Sequence, residues 1–213
     1  MTKYVNDFEY WSKTADRFDV ANRYIVGVKA LEAAKSWLKI QLTATDIALE
    51  IGCGTGYFSA EIAERVQHLT ATDMSPEMLS KAHKRLQAYS NVDVQRADGY
   101  HTGYAGQSFD VVFMGNVVHI VREPMTVLRE GCRLLRPGGR LLLIDYTMAS
   151  MSGIARLSMV VRFLSQYGLP QRTNRSYRLN ELAALVQGLN FEIRDAQIIA
   201  RETNALCLCA IKN

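Results

Sequence analysis

Three glycines at alternate positions, Gly52, Gly54 and Gly56, directly follow a short apolar run at residues 46–51. Glycine lets the backbone turn sharply and leaves room for a ligand to approach the main chain. Asp73 closes a second strand-like run, and a carboxylate there can accept hydrogen bonds from both hydroxyls of a ribose. A glycine loop, a helix, a strand and then an acid indicate recognition of a nucleoside cofactor.

Glu50, which precedes the first glycine, helps to indicate which nucleoside cofactor the site would bind. A dinucleotide site favours the spacing GxGxxG with a pyrophosphate at the helix start, whereas the spacing here is GxGxG. A carboxylate is repelled by a pyrophosphate but is favourable beside an ammonium or a sulfonium group. The pattern therefore favours S-adenosylmethionine (SAM) over NAD.

Strands and helices alternate through the middle of the chain. Strands are predicted at residues 46–51, 68–72, 92–97, 109–114 and 140–144, with helices at 57–66, 75–89 and 123–136. This alternation predicts an α/β fold of the Rossmann-like type, with a parallel sheet and helices on both faces. Two further strands, at 191–199 and 205–211, are separated by a short turn and predict an antiparallel hairpin.

Two helical segments flank this alternation within a single predicted domain, residues 1–213. Residues 1–40 form an N-terminal helical cap, whose apolar face comprises Val20, Tyr24, Ile25, Val28 and Leu31. Residues 147–178 form a lid-like insertion, in which Leu157, Val161 and Leu164 share one helical face. Gly168 and Pro170 could act as its hinge. The insertion could cover an apolar substrate, form a homodimer contact or simply pack within the fold.

Further motifs follow in order: residues 97–99 after the third strand, 115–116 after the fourth, and 134–142 leading into the fifth. With these motifs the sequence resembles the class I SAM-dependent methyltransferases, and within them the ubiquinone/menaquinone-biosynthesis C-methyltransferase branch. The resemblance covers residues 8–146 well, including Tyr10–Phe18. It implies a seven-stranded, mostly parallel sheet with an antiparallel last strand.

The resemblance also implies which residues surround the methionine part of SAM. Gly52, Gly54 and Gly56 line it, and Asn116, at the end of the fourth strand, lies near it. Cys53 stands where this family also carries a cysteine, so we expect no special nucleophile at that position.

At the nucleoside end, the resemblance implies that Asp73 binds the ribose and that Met74 and Met78 pack near the adenine. Asp98 meets the adenine amine, and Gly99 lies beside it.

His119 is the candidate catalytic residue. Methyl transfer is an in-line displacement at a sulfonium, so a base is needed only if the acceptor must lose a proton. His119 lies just beyond the fourth strand, where the methyl group should project, although it could instead satisfy a loop hydrogen bond. His101 is a weaker candidate for lining the cofactor cleft.

An aromatic cluster near the N-terminus comprises Tyr4, Tyr10, Trp11 and Phe18. In the family that the sequence resembles, such a segment folds over the site. The alternative is that these rings only attach a helix to the sheet.

Composition narrows the function classes. The chain has 213 residues, 48% of them hydrophobic, and a net charge of +4 spread along the sequence, so nucleic-acid binding is not expected. There is no signal-peptide pattern and no apolar run of the ~18 residues that a membrane span needs, so we expect a cytoplasmic protein. The four cysteines form no CxxC pair, and no residues have metal-ligand spacing, so no metal is expected.

Three functions remain open. The first is a methyltransferase acting on an apolar or aromatic small-molecule substrate. The second is an RNA or protein methyltransferase, although residues 115–119 lack the Asn/Asp-Pro-Pro-Tyr type of motif used in amino-group methylation. The third is a SAM-binding scaffold without activity, against which the intact glycines, Asp73 and Asp98 argue.

Overall fold

The computed structural model describes residues 7–149, 151–169, 174–200 and 204–213. Its strands are β1 (Ile47–Ile51), β2 (His68–Asp73), β3 (Val92–Arg96), β4 (Phe109–Gly115), β5 (Leu135–Tyr146), β6 (Phe191–Ile199) and β7 (Ala205–Lys212). Its helices are α1 (Asp7–Ser12), α2 (Phe18–Val26), α3 (Val28–Ile40), α4 (Ser59–Ala63), α5 (Pro76–Leu86), α6 (Pro124–Leu134), α7 (Gly153–Tyr167) and α8 (Leu179–Gln187).

The seven strands form one sheet in the order β3-β2-β1-β4-β5-β7-β6. Strands β1 to β5 pair in parallel, and β7 runs antiparallel between β5 and β6. The strand order reverses between β1 and β4, which is the switch point where open α/β sheets bind ligands. The predicted seven-stranded α/β fold with an antiparallel last strand is confirmed.

Apolar side chains cover both faces of this sheet. On one face, Leu38, Ile62 and Leu86 of α3, α4 and α5 join a buried cluster with the strands. On the other, Leu128 of α6 and Leu182 of α8 join a second cluster. Burial of these side chains stabilises the sheet and fixes the strand ends that carry the polar residues described below.

The N-terminal helical cap is divided into separate helices. It consists of three helices, and Gly27, with φ +89°, separates α2 from α3. Apolar side chains on the two sides of this break no longer share one face. Of the residues on the predicted apolar face, Ile25 and Leu31 are buried, whereas Val20, Tyr24 and Val28 are exposed.

The fifth strand also begins earlier than predicted. Phe109 pairs with Leu135 and Val111 with Arg140, so residues 136–139 bulge within the ladder between them. The Pro137–Gly139 stretch therefore lies inside β5 and does not form a separate turn before it.

The predicted apolar face of the lid-like insertion points outwards, because Leu157, Val161 and Leu164 are all exposed. Leu157 and Val161 are 65% and 57% exposed, whereas Met159 and Tyr167 on the same helix are buried. The helix α7 therefore packs against the rest of the protein through a different face from the one that the apolar spacing predicts. Gly168 ends α7 with φ +72°, and Pro170 lies outside the described residues.

None of the described helices combines the length and apolarity that a membrane span requires.

Candidate functional site

A cavity of about 450 Å³ opens at the carboxyl ends of the parallel strands. One side of it is lined by residues 50–54 at the end of β1, 73–74 at the end of β2, 97–100 after β3, and 115–117 and 119–121 at the end of β4. The opposite side comes from α2 and α7. This volume lies in the range of ~300–1,000 Å³ that is usual for small-molecule sites.

The glycine loop after β1 is fixed to β2 by its backbone. The N–H groups of Gly52 and Cys53 both donate to the carbonyl oxygen of Thr72 at 2.8 Å. Gly52 has φ +77°, and a Cβ there would lie 2.5 Å from Val117 Cγ2. Only glycine therefore fits where this loop passes the segment after β4.

Gly56 is not among the residues that line the cavity. A Cβ at Gly56 would lie 3.3 Å from Ala82 Cα and 3.3 Å from Leu86 Cδ1. This glycine instead lets the loop pack closely against α5.

Asp73 stands at the end of β2 and faces the glycine loop. Its Oδ2 accepts the N–H of Gly54 and its Oδ1 accepts the N–H of Ser75, both at 2.9 Å. Burial raises the pKa of Asp73, and these backbone donors oppose that rise. A carboxylate has about four lone-pair sites, so both oxygens retain the capacity to accept hydroxyl groups of a ligand.

Glu50 is a second carboxyl group on the same side of the cavity. It is 1% exposed, and its Oε2 accepts a hydrogen bond from the Ser59 hydroxyl. Burial and the nearby Asp73 carboxylate raise the pKa of Glu50 to about 7, although the Ser59 hydrogen bond lowers it. A cation in the adjoining space would favour the ionised form of Glu50.

Met74 and Met78 both line the nucleoside end of the predicted site. Met78 is buried, and its N–H donates to the Oγ of Ser75, the residue that caps α5, at 3.1 Å. The cap and Pro76 at the first turn set the start of this helix. The helix start therefore places both thioethers at the cavity wall.

Asp98 and Gly99 line the cavity after β3. Asp98 Oδ1 accepts the N–H of Tyr100 at 3.0 Å, which holds the carboxylate in a tight turn. A Cβ on Gly99 would lie 2.8 Å from Ile51 Cγ2, so a larger residue would disturb β1. His101 is exposed and does not line the cavity, so the structure does not support its weaker candidacy.

Asn116 adopts φ +61° directly after β4 and lines the cavity. Its N–H donates to the Ile144 carbonyl at 2.8 Å, but its buried Oδ1 has no hydrogen-bond partner among the described residues. A buried acceptor of this kind is costly unless a ligand donor satisfies it. Cys53 is also buried at the cavity wall, and burial raises the pKa of its thiol, so the thiol is neutral.

His119 forms a pair that the sequence analysis missed. Its Nδ1 lies 2.7 Å from Oδ1 of Asp145, which is 2% exposed. The other carboxylate oxygen, Oδ2, has no partner among the described residues. Asp145 lies near the end of β5, which pairs with β4, so the contact follows from the strand pairing and not from a local sequence pattern. The backbone N–H of Arg175 donates to the His119 carbonyl at 2.8 Å and fixes this loop.

Aromatic rings form much of the opposite wall. Trp11 lies edge-on to Phe18 and to Tyr167, with ring centroids 6.0 and 5.8 Å apart, and Phe163 contacts Tyr167 at 5.3 Å. The Tyr10 hydroxyl donates to the Tyr167 carbonyl at 3.0 Å. Tyr4 lies outside the described residues. The N-terminal aromatic cluster thus joins α7 and also lines the cavity.

Polar contacts hold the N-terminal cap over the glycine loop. The hydroxyl oxygens of Ser12 and Ser75 lie 2.7 Å apart. The Thr55 hydroxyl donates to Asp19 Oδ1 at 2.6 Å, and Arg85 also bonds Asp19. The cap therefore closes one side of the site. Over the part of the chain that the structure describes, no three His, Cys, Asp or Glu side chains form a metal-binding group.

The sheet, its switch point and the polar strand ends define a Rossmann-like domain with a cleft suited to a nucleoside cofactor. Residues 49–143 match the family model described as a methyltransferase domain. The matched residues make up less than half of the chain, and the resemblance to class I SAM-dependent methyltransferases is confirmed.

Curated relatives point to the same family. The demethylmenaquinone methyltransferase of Lactobacillus johnsonii is 27% identical over 64% of this chain and 59% of its own length. The ubiquinone/menaquinone biosynthesis C-methyltransferase UbiE of Roseobacter denitrificans is 30% identical over 64% of this chain and 57% of its own length. The matches thus span less than two thirds of either relative.

Among solved structures, the magnesium protoporphyrin IX methyltransferase of Synechocystis, with bound SAH, superposes with a TM-score of 0.74. The alignment covers 98% of both chains at 18% identity, so it supports the fold.

Proposed function

We propose that the protein binds SAM in the cavity and methylates a small apolar or aromatic acceptor. One observation carries this proposal: the glycine loop with Glu50 and Asp73 forms one side of the same cavity that His119 and the aromatic wall complete. When bound, SAM supplies an activated methyl group on its sulfonium.

At the methionine end, two groups of this chain fit a cationic amino acid. The Asn116 Oδ1 is a buried acceptor without a partner among the described residues, and an ammonium group would satisfy it. The Glu50 carboxyl has its pKa raised to about 7 by burial and by Asp73, so a nearby positive charge would stabilise its ionised form. The Gly52–Gly54 loop leaves space for this end of the ligand.

At the nucleoside end, Asp73 would accept both ribose hydroxyls with the lone pairs that Gly54 and Ser75 leave free. Met74 and Met78 would flank the adenine, and Asp98 would accept from its amino group. Asp73 ends β2, Met74 follows it, Met78 lies on α5 and Asp98 follows β3, and all four line the cavity.

The acceptor side is apolar. Ile25, Met159, Phe163 and Tyr167 contribute to its wall. An acceptor with an apolar or aromatic body would displace water from these surfaces on binding, which favours its association and excludes solvent from the transfer.

His119 is proposed as the base. With Asp145 accepting the Nδ1–H, Nε2 carries the free lone pair that can take a proton from the acceptor. SAM held in the cavity would supply the methyl group to the acceptor, and His119 would keep the proton that the acceptor releases. The buried Asp145 carboxylate stabilises the resulting imidazolium, so it acts as a positioning residue.

Incubating the protein with methyl-labelled SAM and a metabolite extract tests this function. The products are separated into small-molecule, RNA and protein fractions, with Asp73→Ala as the control for specific SAM use. Label in one apolar small molecule supports the proposal. Label in RNA or protein would move the function to that class, and SAM binding without any labelled product would favour a scaffold.

A further inference from the structure

Large apolar side chains are unusually exposed on the side of the molecule that carries α2 and α7. Six of the nine exposed large apolar residues in the described parts of the chain lie on these two helices. They are Val20, Tyr24, Ile154, Leu157, Val161 and Leu164, and are called the outer apolar face below. Soluble proteins rarely expose contiguous apolar surface of this kind unless it meets a partner or a membrane.

The arrangement on α7 is that of an interfacial helix. Ile154, Leu157, Val161 and Leu164 recur at spacings of three and four residues and so form one stripe along the helix. Ile154 is 88% exposed at the start of this stripe. A short helix with an apolar stripe beside basic residues is typical of segments that lie in a membrane interface.

The charged side chains of residues 146–180 are all basic. From residue 146 to 180 the sequence holds five arginines and no Asp, Glu or Lys. Arg156 and Arg162 lie on α7 itself, and Arg162 Nη1 donates to the Tyr24 carbonyl of α2 at 3.1 Å. The acid of α2, Asp19, is held by Arg85 and Thr55 beside the glycine loop. The charge therefore complements an anionic surface.

The same two helices form the apolar wall of the cavity with their inner sides. Asn22 and Ile25 of α2 line it, together with Val160 and Phe163 of α7. Leu164 belongs to both surfaces, since it lines the cavity and is exposed. The outer apolar face is thus continuous with the rim of the cavity.

We propose that the outer apolar face binds the surface of an anionic lipid bilayer. Leu157 and Val161 enter the interface, and Arg156 and Arg162 meet anionic headgroups. A symmetric pairing of two copies through this face would instead bring like-charged arginines together. In this orientation the rim of the cavity faces the bilayer, in which apolar molecules dissolve. Only this statement about the cavity rests on the proposed function.

Vesicle flotation of the full chain tests the proposal. Vesicles of phosphatidylcholine are compared with vesicles that also contain phosphatidylglycerol. The wild type should float with the anionic vesicles, and added salt should release it. Leu157→Ser combined with Val161→Ser should weaken binding by at least about tenfold, because two apolar side chains no longer enter the interface. Arg156→Gln should weaken it about fivefold.

Ile40→Ser is the matched control, because Ile40 is 77% exposed but lies at the end of α3, outside the outer apolar face. It should float like the wild type. SAM affinity measured in parallel checks that each variant is folded and separates this result from the proposed function. Failure of the wild type to float, equal binding to both vesicle types, or normal flotation of the double serine variant would each overturn the proposal. So would light scattering that shows a wild-type dimer dissociated by the serine changes.

Discussion

The 2.7 Å contact between His119 Nδ1 and Asp145 Oδ1 joins the segment after β4 to the end of β5. The two strands are neighbours in the sheet, so their parallel register brings the segment that carries His119 close to Asp145. Because Asp145 is buried, its carboxylate interacts with the imidazole in a surrounding of low polarity, where such an interaction is stronger than in water. The geometry determines which ring nitrogen faces the cavity.

We expect Asp145→Asn to lower kcat by about 10²–10⁴-fold with the acceptor that the labelling experiment identifies. The amide can donate to Nδ1, which would leave the proton on Nε2 and remove the base from the cavity. SAM affinity, measured by calorimetry, should stay nearly unchanged.

A second variant separates this effect from simple misfolding. If the two residues act as a unit, His119→Asn combined with Asp145→Asn should lose little more activity than His119→Asn alone. Independent, additive losses, or unchanged turnover in Asp145→Asn, would show that Asp145 does not act through His119.

The grouping of Glu50, Gly52, Gly54 and Asp73 at one cavity could be predicted from the sequence because these residues are local. Glu50, Gly52 and Gly54 follow one strand, and Asp73 ends the next, so the spacing itself brings them together. The partner of His119 is 26 residues away along the chain and depends on the pairing of β4 with β5. A parallel register of this kind is set by packing, which no local pattern records.

Asp73→Ala should weaken SAM binding by ~1.5–3 kcal/mol, the range for hydrogen bonds to a charged group. The ribose hydroxyls would lose their acceptor, and the Gly54 N–H would lose its partner at 2.9 Å. Calorimetric titration measures the change. Asp93→Ala, at an exposed carboxylate on β3, is the control and should leave the affinity unchanged. Equal affinity of Asp73→Ala and wild type, or tighter binding of NAD than of SAM, would contradict the assignment.

SAM affinity should depend on pH through Glu50. The pKa of its carboxyl is raised to about 7 by burial and by Asp73, so below that pH the ligand-free protein must release a proton to bind a cation beside it. Affinity should therefore rise about eightfold between about pH 6 and about pH 7.5. Glu50→Gln should lose this pH dependence. Titration of SAM itself affects the wild type and the variant equally, so it cancels when their affinities are compared at each pH.

The same group predicts an opposite trend in the stability of the ligand-free protein. The unfolded chain ionises Glu50 at its ordinary pKa of 4.5, while the folded protein keeps the proton until about pH 7. The free energy of unfolding should therefore fall as the pH rises through this window, by up to about 3 kcal/mol. Urea unfolding of the wild type and of Glu50→Gln at several pH values measures the difference. A parallel pH dependence in both proteins would show that Glu50 is not responsible.

The N-terminal cap and α7 were less predictable, and for one reason. Helical periodicity identifies an apolar face but not the direction in which that face points. Gly27 breaks the cap, and the packing of α7 beside α2 selects Met159 and Tyr167 for burial while Leu157 and Val161 stay exposed. Both outcomes depend on tertiary contacts that override local pattern.

The inner side of α7 is expected to contact the acceptor. Phe163 lines the cavity and packs against Tyr167, whereas Leu157 on the outer side does not reach the cavity. If α7 encloses the acceptor, Phe163→Ala should raise its KM or lower kcat by about tenfold or more, because it removes an aromatic surface that the acceptor would cover. Leu157→Ala, a similar truncation on the outer face of the same helix, should leave KM and kcat unchanged when a water-dissolved acceptor is used.

SAM affinity should be the same in both variants, since the glycine loop and Asp73 are not altered. Steady-state kinetics with the identified acceptor, together with a thermal unfolding curve, separate loss of the wall from loss of the fold. Unchanged kinetics in a folded Phe163→Ala variant would mean that α7 is structural and that the acceptor binds elsewhere in the cavity.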